Sequence, residues 1–172
     1  MRITAGRSLT AFLILAAAEA STLEAQPIKP GRRAPEIDLP TLNGGRFELS
    51  RLRGRAVVVS FWGTWCPPCR DEFPELIKAQ AKYAERGLLV LAVNGRDQER
   101  STRDVQQFVD LFPVSFVVAL DRYGSTRRAY RIVGQPTTVF IDASGIVRQV
   151  HTGRISHEEL EEGIALILPA SR

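Results

Sequence analysis

The chain has 172 residues, is 44% hydrophobic and 24% charged, and carries a formal net charge of +4. That length and apolar content fit one globular domain with a sizeable core and exclude a wholly disordered chain. Twenty of the 23 basic residues are arginine, but they are scattered and interrupted by acids, so the stripe or patch of a nucleic-acid surface is missing and no such partner is expected.

In chain order, Arg2 and Arg7 precede the apolar run "LTAFLILAAA" over 9–18, followed by the small-residue exits Ala18-Glu19-Ala20 and Leu23-Glu24-Ala25. This pattern predicts a secretory signal peptide over residues 1–25, with an uncleaved anchor as the alternative. The apolar run is too short to span a bilayer comfortably. Export would move the cysteines out of the reducing cytosol. Residues 26–35 are rich in proline and read as a linker, and 36–172 read as one domain.

Asn43-Gly44 signals a hairpin between short apolar stretches. "AVVVSFW" over 56–62 is apolar on both alternating faces, which predicts a strand covered on both sides. From Pro67 to about Arg86 the spacing predicts a helix with Phe73, Leu76, Ile77 and Ala81 on its inner face. Pro74 should kink that helix and Gly87 should end it. "LLVLAVN" over 88–94 is a second buried strand, completing a right-handed βαβ unit. Ser101 and Asp104 predict a capped helix through about Leu111, then a strand over 115–121 and a short helix after Gly124. "PTTVFID" and "IVRQVHTG" predict a hairpin, and Ser156 with Glu159 a capping box for a last helix that buries Leu160, Ile164 and Ile167. The class is α/β with a mixed central sheet.

Both cysteines lie in "FWGTWCPPCRDEFPEL", at 66 and 69. A zinc site needs four ligands, whereas the only histidines, His151 and His157, are far along the chain and not at helical ligand spacing. A structural staple closing so short a loop would remove little unfolded-chain entropy. The redox reading has a physical basis. Cys66 at the cap of a helix sits at the positive end of its dipole, which favours the thiolate. Cys69, one turn on, faces the same side and can resolve a mixed disulfide. Pro67 and Pro68 both lack the N–H that could stabilise the Cys66 thiolate, leaving the Cys69 amide as the local donor. Arg70 favours the thiolate, but Asp71 and Glu72 offset it. The pair therefore reads as a reductant rather than an oxidant.

At these residues the sequence resembles the TlpA/ResA-like branch of the thioredoxin superfamily, through "FWGTWCPPCRDEFPEL", "VGQPTTVFID" and "APEIDLPTLNGG". The resemblance implies a thioredoxin fold: a central mixed sheet flanked by helices, with an N-terminal β-hairpin and a helix-strand-helix segment inserted between 95 and 133. It implies that Cys66 is the exposed attacking thiol and Cys69 the buried one, with Trp62 and Trp65 flanking them. Pro136 would be cis and face the disulfide, and Gln135 would pair its backbone with a bound substrate chain. Trp65, Gln135, Pro136 and Thr137 are thus the expected substrate-binding residues. Ser60 stands where cytoplasmic thioredoxins carry a buried aspartate, and Asp97 and Glu99 are the candidate proton acceptors. The implied function is that of a periplasmic disulfide reductase without metal or cofactor. It would act on cysteine-containing proteins such as apocytochrome c or copper-site assembly proteins and would be recharged by a membrane thiol donor. A monomer is expected. Two alternatives stand beside this. A peroxidase would need a threonine three residues before the reactive cysteine, but Thr64 is two before Cys66. A copper metallochaperone of this fold would need a histidine near "GQPTT", and none is there.

Overall fold

A computed structural model describes residues 28–169, so the predicted signal peptide lies outside the described residues. Strand β3 (Ala56–Trp62) is the spine, and all seven of its residues are buried. Its alternation sends Val58 and Trp62 into one apolar cluster and Val57, Val59 and Phe61 into another on the opposite face. β4 (Leu88–Asn94) pairs parallel with β3 and with β5 (Val117–Leu120). On the other side β6 (Thr137–Ile141) runs antiparallel to β3, and β7 (Val147–Thr152) antiparallel to β6. The order β5-β4-β3-β6-β7 is the mixed sheet expected from the sequence.

β1 (Asp38–Pro40) and β2 (Arg46–Glu48) form the hairpin, with Gly44 at φ 84° in its turn. The hairpin also serves the sheet: Thr41 bridges to Ala119, and the Leu42 N–H donates to the Val118 carbonyl. Those contacts occupy part of the outer edge of β5, which would otherwise be an open template for another chain. Residues 31–34, within the stretch that reads as a linker, are pinned to the β6–β7 turn. The Gly31 N–H donates to Val147 and the Ala34 N–H to Gly145.

Helix α1 (Pro67–Tyr83) continues through Pro74, and Gly87 closes the 3₁₀ turn after it at φ 90°. Its buried stripe is Cys69, Glu72, Phe73, Leu76, Ala79 and Tyr83. Ala81, expected inside, is exposed, and Ile77 is only half-buried. The helix is rotated so that Cys69, not only its apolar residues, faces the core. α2 (Thr102–Val109) is capped by Ser101 as predicted, and α3 (Ser125–Ala129) follows Gly124. The predicted strand over 115–121 contracts to the four residues of β5. α4 (His157–Ile167) has the full Ser156–Glu159 capping box and buries Leu160, Ile164 and Ile167. With α2, β5 and α3, the segment after β4 is the predicted helix-strand-helix insertion.

Candidate active site

Two loops leave the same end of the sheet side by side, because Phe61 near the end of β3 pairs with Thr137 at the start of β6. The first loop carries Trp65 and Cys66 into α1, and the second carries Gln135 and Pro136 into β6. Cys66 and Cys69 are joined as a disulfide, with their Cα atoms 5.3 Å apart. Cys66 is the N-cap of α1, and its sulfur accepts the Cys69 amide N–H at 3.3 Å. With proline at both intervening positions, that amide is the local donor the sequence predicts.

The two cysteines are 3% and 1% exposed, so Cys66 is not the exposed thiol that the resemblance implies. In this disulfide both sulfurs belong to the apolar cluster beneath α1. Trp65 is 51% exposed, with its indole lying over Gly63. Trp62 is fully buried, packs against Phe73 and Phe108 at 4.8 and 4.9 Å and shares the apolar cluster of both cysteines. Strand alternation turns it into the core, whereas Trp65 stays exposed.

The Gln135–Pro136 peptide is cis. The Thr137 hydroxyl donates to the Gly134 carbonyl at 2.8 Å, tying the loop to itself, and the Pro136 carbonyl accepts from the Gly153 N–H. Neither backbone group of Gln135 is engaged by another described residue, which leaves its edge open to an added chain.

Of the two acids singled out in the sequence, Asp97 pairs with Arg127 at 2.7 Å. Glu99 accepts from the Thr64 N–H at 2.7 Å, from the Thr64 hydroxyl at 2.5 Å and from the Asn94 amide at 2.9 Å. Glu99 thus braces the loop two residues before Cys66 through both the backbone and the hydroxyl of Thr64.

The acid that sequence reasoning missed is Glu72. Read only as a charge offsetting Arg70, it is 1% exposed and lies one turn after Cys69 on the inner stripe of α1. One carboxyl oxygen accepts the Ile155 N–H at 2.7 Å, and the other has no partner among the described residues. Burial pushes its pKa up from 4.5 to about 7, against the opposing effects of the Ile155 N–H and the charge of Arg154. The available signal was its spacing: position 72 falls on the stripe that runs through 69, 73 and 76. Ser60 and Thr138 face each other across β3 and β6, both buried and with hydroxyls unpartnered among the described residues.

The raised Glu72 value makes stability pH-dependent. Folded Glu72 keeps its proton up to about pH 7, whereas the unfolded chain releases it near 4.5, so the native state binds more protons between those values. Stability is therefore lost as pH rises from about 4.5 through 7, by at most about 3 kcal/mol from this group. Glu72→Gln should remove that slope. The check is denaturant unfolding of both proteins at pH 5 and pH 8, because their difference cancels the other titrating groups.

A helix-capping cysteine pair beside a cis-proline loop invites comparison with known redox proteins. Residues 30–150 match the AhpC/TSA family. The chain belongs to that family. It is 38% identical over 141 residues to the thiol-disulfide oxidoreductase ResA of Halalkalibacterium halodurans, covering 82% of this chain and 78% of that protein. It is 35% identical over 139 residues to the thioredoxin-like protein YneN of Bacillus subtilis, covering 81% of each. Among solved structures, a Chlorobium tepidum protein assigned as the thiol:disulfide interchange protein DsbE superposes with a TM-score of 0.76 at 38% identity. That match covers 83% of this chain and 99% of the other. This family member is thus a ResA-like thiol-disulfide oxidoreductase with a thioredoxin fold.

Proposed function

We propose that this oxidoreductase is exported and works as a reductant, transferring electrons from Cys66 and Cys69 to disulfides of periplasmic substrate proteins. The observation that carries the direction is the single amide that, among the described residues, donates to the Cys66 sulfur. A thiolate with few donors is poorly stabilised, so the dithiol form gives up its electrons readily.

The Cys66 thiolate attacks a substrate disulfide, forming a mixed disulfide and releasing one substrate thiolate, which takes up a proton. Cys69 then passes its proton to Glu72 in its carboxylate form, which is populated from about pH 7 upward, and attacks the Cys66 sulfur, releasing the second substrate thiolate. Two electrons have moved to the substrate, and the Cys66–Cys69 disulfide remains. Glu72 suits this role better than Asp97 or Glu99, because it shares Cys69's helix face and has a carboxyl oxygen to spare. The substrate chain lies along Gln135, Pro136 and Thr137 beside Trp65. Apocytochrome c and copper-site assembly proteins are the substrates in view, a membrane thiol protein returns the electrons, and the working unit is a monomer.

Equilibration of Cys66–Cys69 with a dithiothreitol buffer tests the direction. A reduction potential at or below that of thioredoxin, about −270 mV, is expected. A value near the roughly −120 mV of a strong oxidant would overturn it.

A further inference from the structure

Beside the dithiol lies a cleft of about 80 Å³ whose walls are Trp65, Ile132 and Val133 and whose polar lining is Gln98, Arg127 and Gln135. Val133 is 94% exposed, so the apolar rim faces solvent at the mouth of the active site. The lining holds hydrogen-bonding groups without partners. Neither the oxygen nor the nitrogen of the Gln135 carboxamide is engaged by another described residue, although both atoms are buried, and the same is true of Arg127 Nε. Gln98 and Gln135 converge over Gly95. A β-carbon at Gly95 would stand 3.0 Å from Gln98 Oε1 and 3.2 Å from Gln135 Nε2.

Buried donors and acceptors left unpaired are costly, and a ligand that satisfies them recovers that cost. The charge balance selects the ligand. Arg127 is already neutralised by Asp97 at 2.7 Å, so a carboxylate entering the cleft would meet an acid as well as a guanidinium. A neutral group that both donates and accepts matches Gln135 and Arg127 Nε together. The volume holds several water-sized groups, enough for a carboxamide.

We propose that this cleft is a specificity pocket that takes an asparagine or glutamine side chain of the substrate polypeptide, next to its disulfide cysteine. The proposal rests on the reading of Gln135–Pro136 as the substrate-binding loop. The added chain pairs with the Gln135 backbone, and its flanking side chain enters between Trp65 and Val133.

The test oxidises pre-reduced protein with disulfide peptides identical except for Asn, Asp or Leu beside the reactive cysteine, on each side in turn. Bis(2-hydroxyethyl) disulfide serves as a substrate without a peptide. In each reaction the protein loses two electrons and two protons to the disulfide, and the second-order rate constant is read. The Asn peptide should react about tenfold faster than the Leu peptide on one side, and faster than the Asp peptide. In Gln135→Leu that ratio should fall to about one, and Gln98→Leu, a surface change on a loop, should lower it too. A ratio within one variant does not depend on the fraction folded. Equal rates for Asn and Leu on both sides, a preference for Asp, or ratios unchanged in both variants would overturn the pocket. No reaction with any disulfide, the small one included, would instead overturn the reductase reading and the pocket with it.

Discussion

Cys69→Ser is expected to stop turnover and accumulate a covalent complex, whereas Cys66→Ser stops turnover without one. In the first variant Cys66 keeps its cap position and still attacks a substrate disulfide, but no thiol remains one turn along α1 to resolve the product. The mixed disulfide should build up to one substrate per protein, visible as a mass shift and on a non-reducing gel, and dithiothreitol should release it. In the second variant the nucleophile itself is gone. Serine is the better replacement there than alanine, because its hydroxyl can still accept the Cys69 amide as an N-cap. Loss of activity then cannot be ascribed to fraying of the helix. In both cases turnover should fall by about a thousandfold or more, as when a nucleophile is deleted elsewhere. A trapped complex on Cys69 in the Cys66→Ser variant would reverse the order of attack proposed for the pair. That outcome is not trivial, since Cys66 is only 3% exposed in the disulfide and cannot be named the attacking thiol from burial alone. Its placement at the positive end of α1, one residue after the exposed Trp65, is what assigns it.

Features written in local sequence were legible and features made by distant contacts were not. The doubly apolar run 56–62 became β3 with the same bounds, since seven residues rich in valine and aromatics are too short for a typical helix and suit a strand buried on both faces. Pro67 at the first helical position and Ser156 with Glu159 marked two helix starts, because caps involve neighbours within one turn. The roles of the acids, in contrast, depend on partners far along the chain. Glu72 reaches the Ile155 N–H across 83 positions, and Glu99 reaches Thr64 across 35. For Glu99 nothing within one turn distinguishes a brace from a solvated charge; for Glu72 the helical spacing with Cys69, Phe73 and Leu76 marks the buried face but not the partner on it. The burial of Trp62 was nearer to hand, since its parity on β3 matches that of Val58. The unpartnered amide of Gln135 was out of reach as well: it exists only because the 95–98 turn, α3 and the cis-proline loop meet at one place.

Phe73→Ala should be among the most damaging substitutions that leave both sulfurs in place. Phe73 is fully buried and stands against Trp62, Phe108, Phe112 and Phe116, with ring centroids at 4.8, 5.2, 5.2 and 5.8 Å. The contacts to Trp62, Phe108 and Phe116 are edge-on, the arrangement in which aromatic pairs contribute about 0.5–1.5 kcal/mol beyond area burial. Truncating such a ring costs roughly 3–5 kcal/mol through lost transfer energy and the cavity left behind. Against a total of about 5–15 kcal/mol for a typical domain, that is a large share. The melting temperature should fall on the order of 10 °C. Phe73→Leu, which fills part of the space, should cost clearly less, and Leu111→Ala, at a side chain 63% exposed, should change stability by under about 0.5 kcal/mol. Calorimetry on the three variants in the disulfide form checks the ranking. Phe73 also links β3, α1 and α2, since its ring touches Trp62 on the strand and Phe108 on the second helix. It therefore anchors the helix whose first turn carries the disulfide. If Phe73→Ala melted within a degree or two of the parent, the aromatic cluster would not be what anchors α1, and the cap at Cys66 would have to hold its position by other contacts.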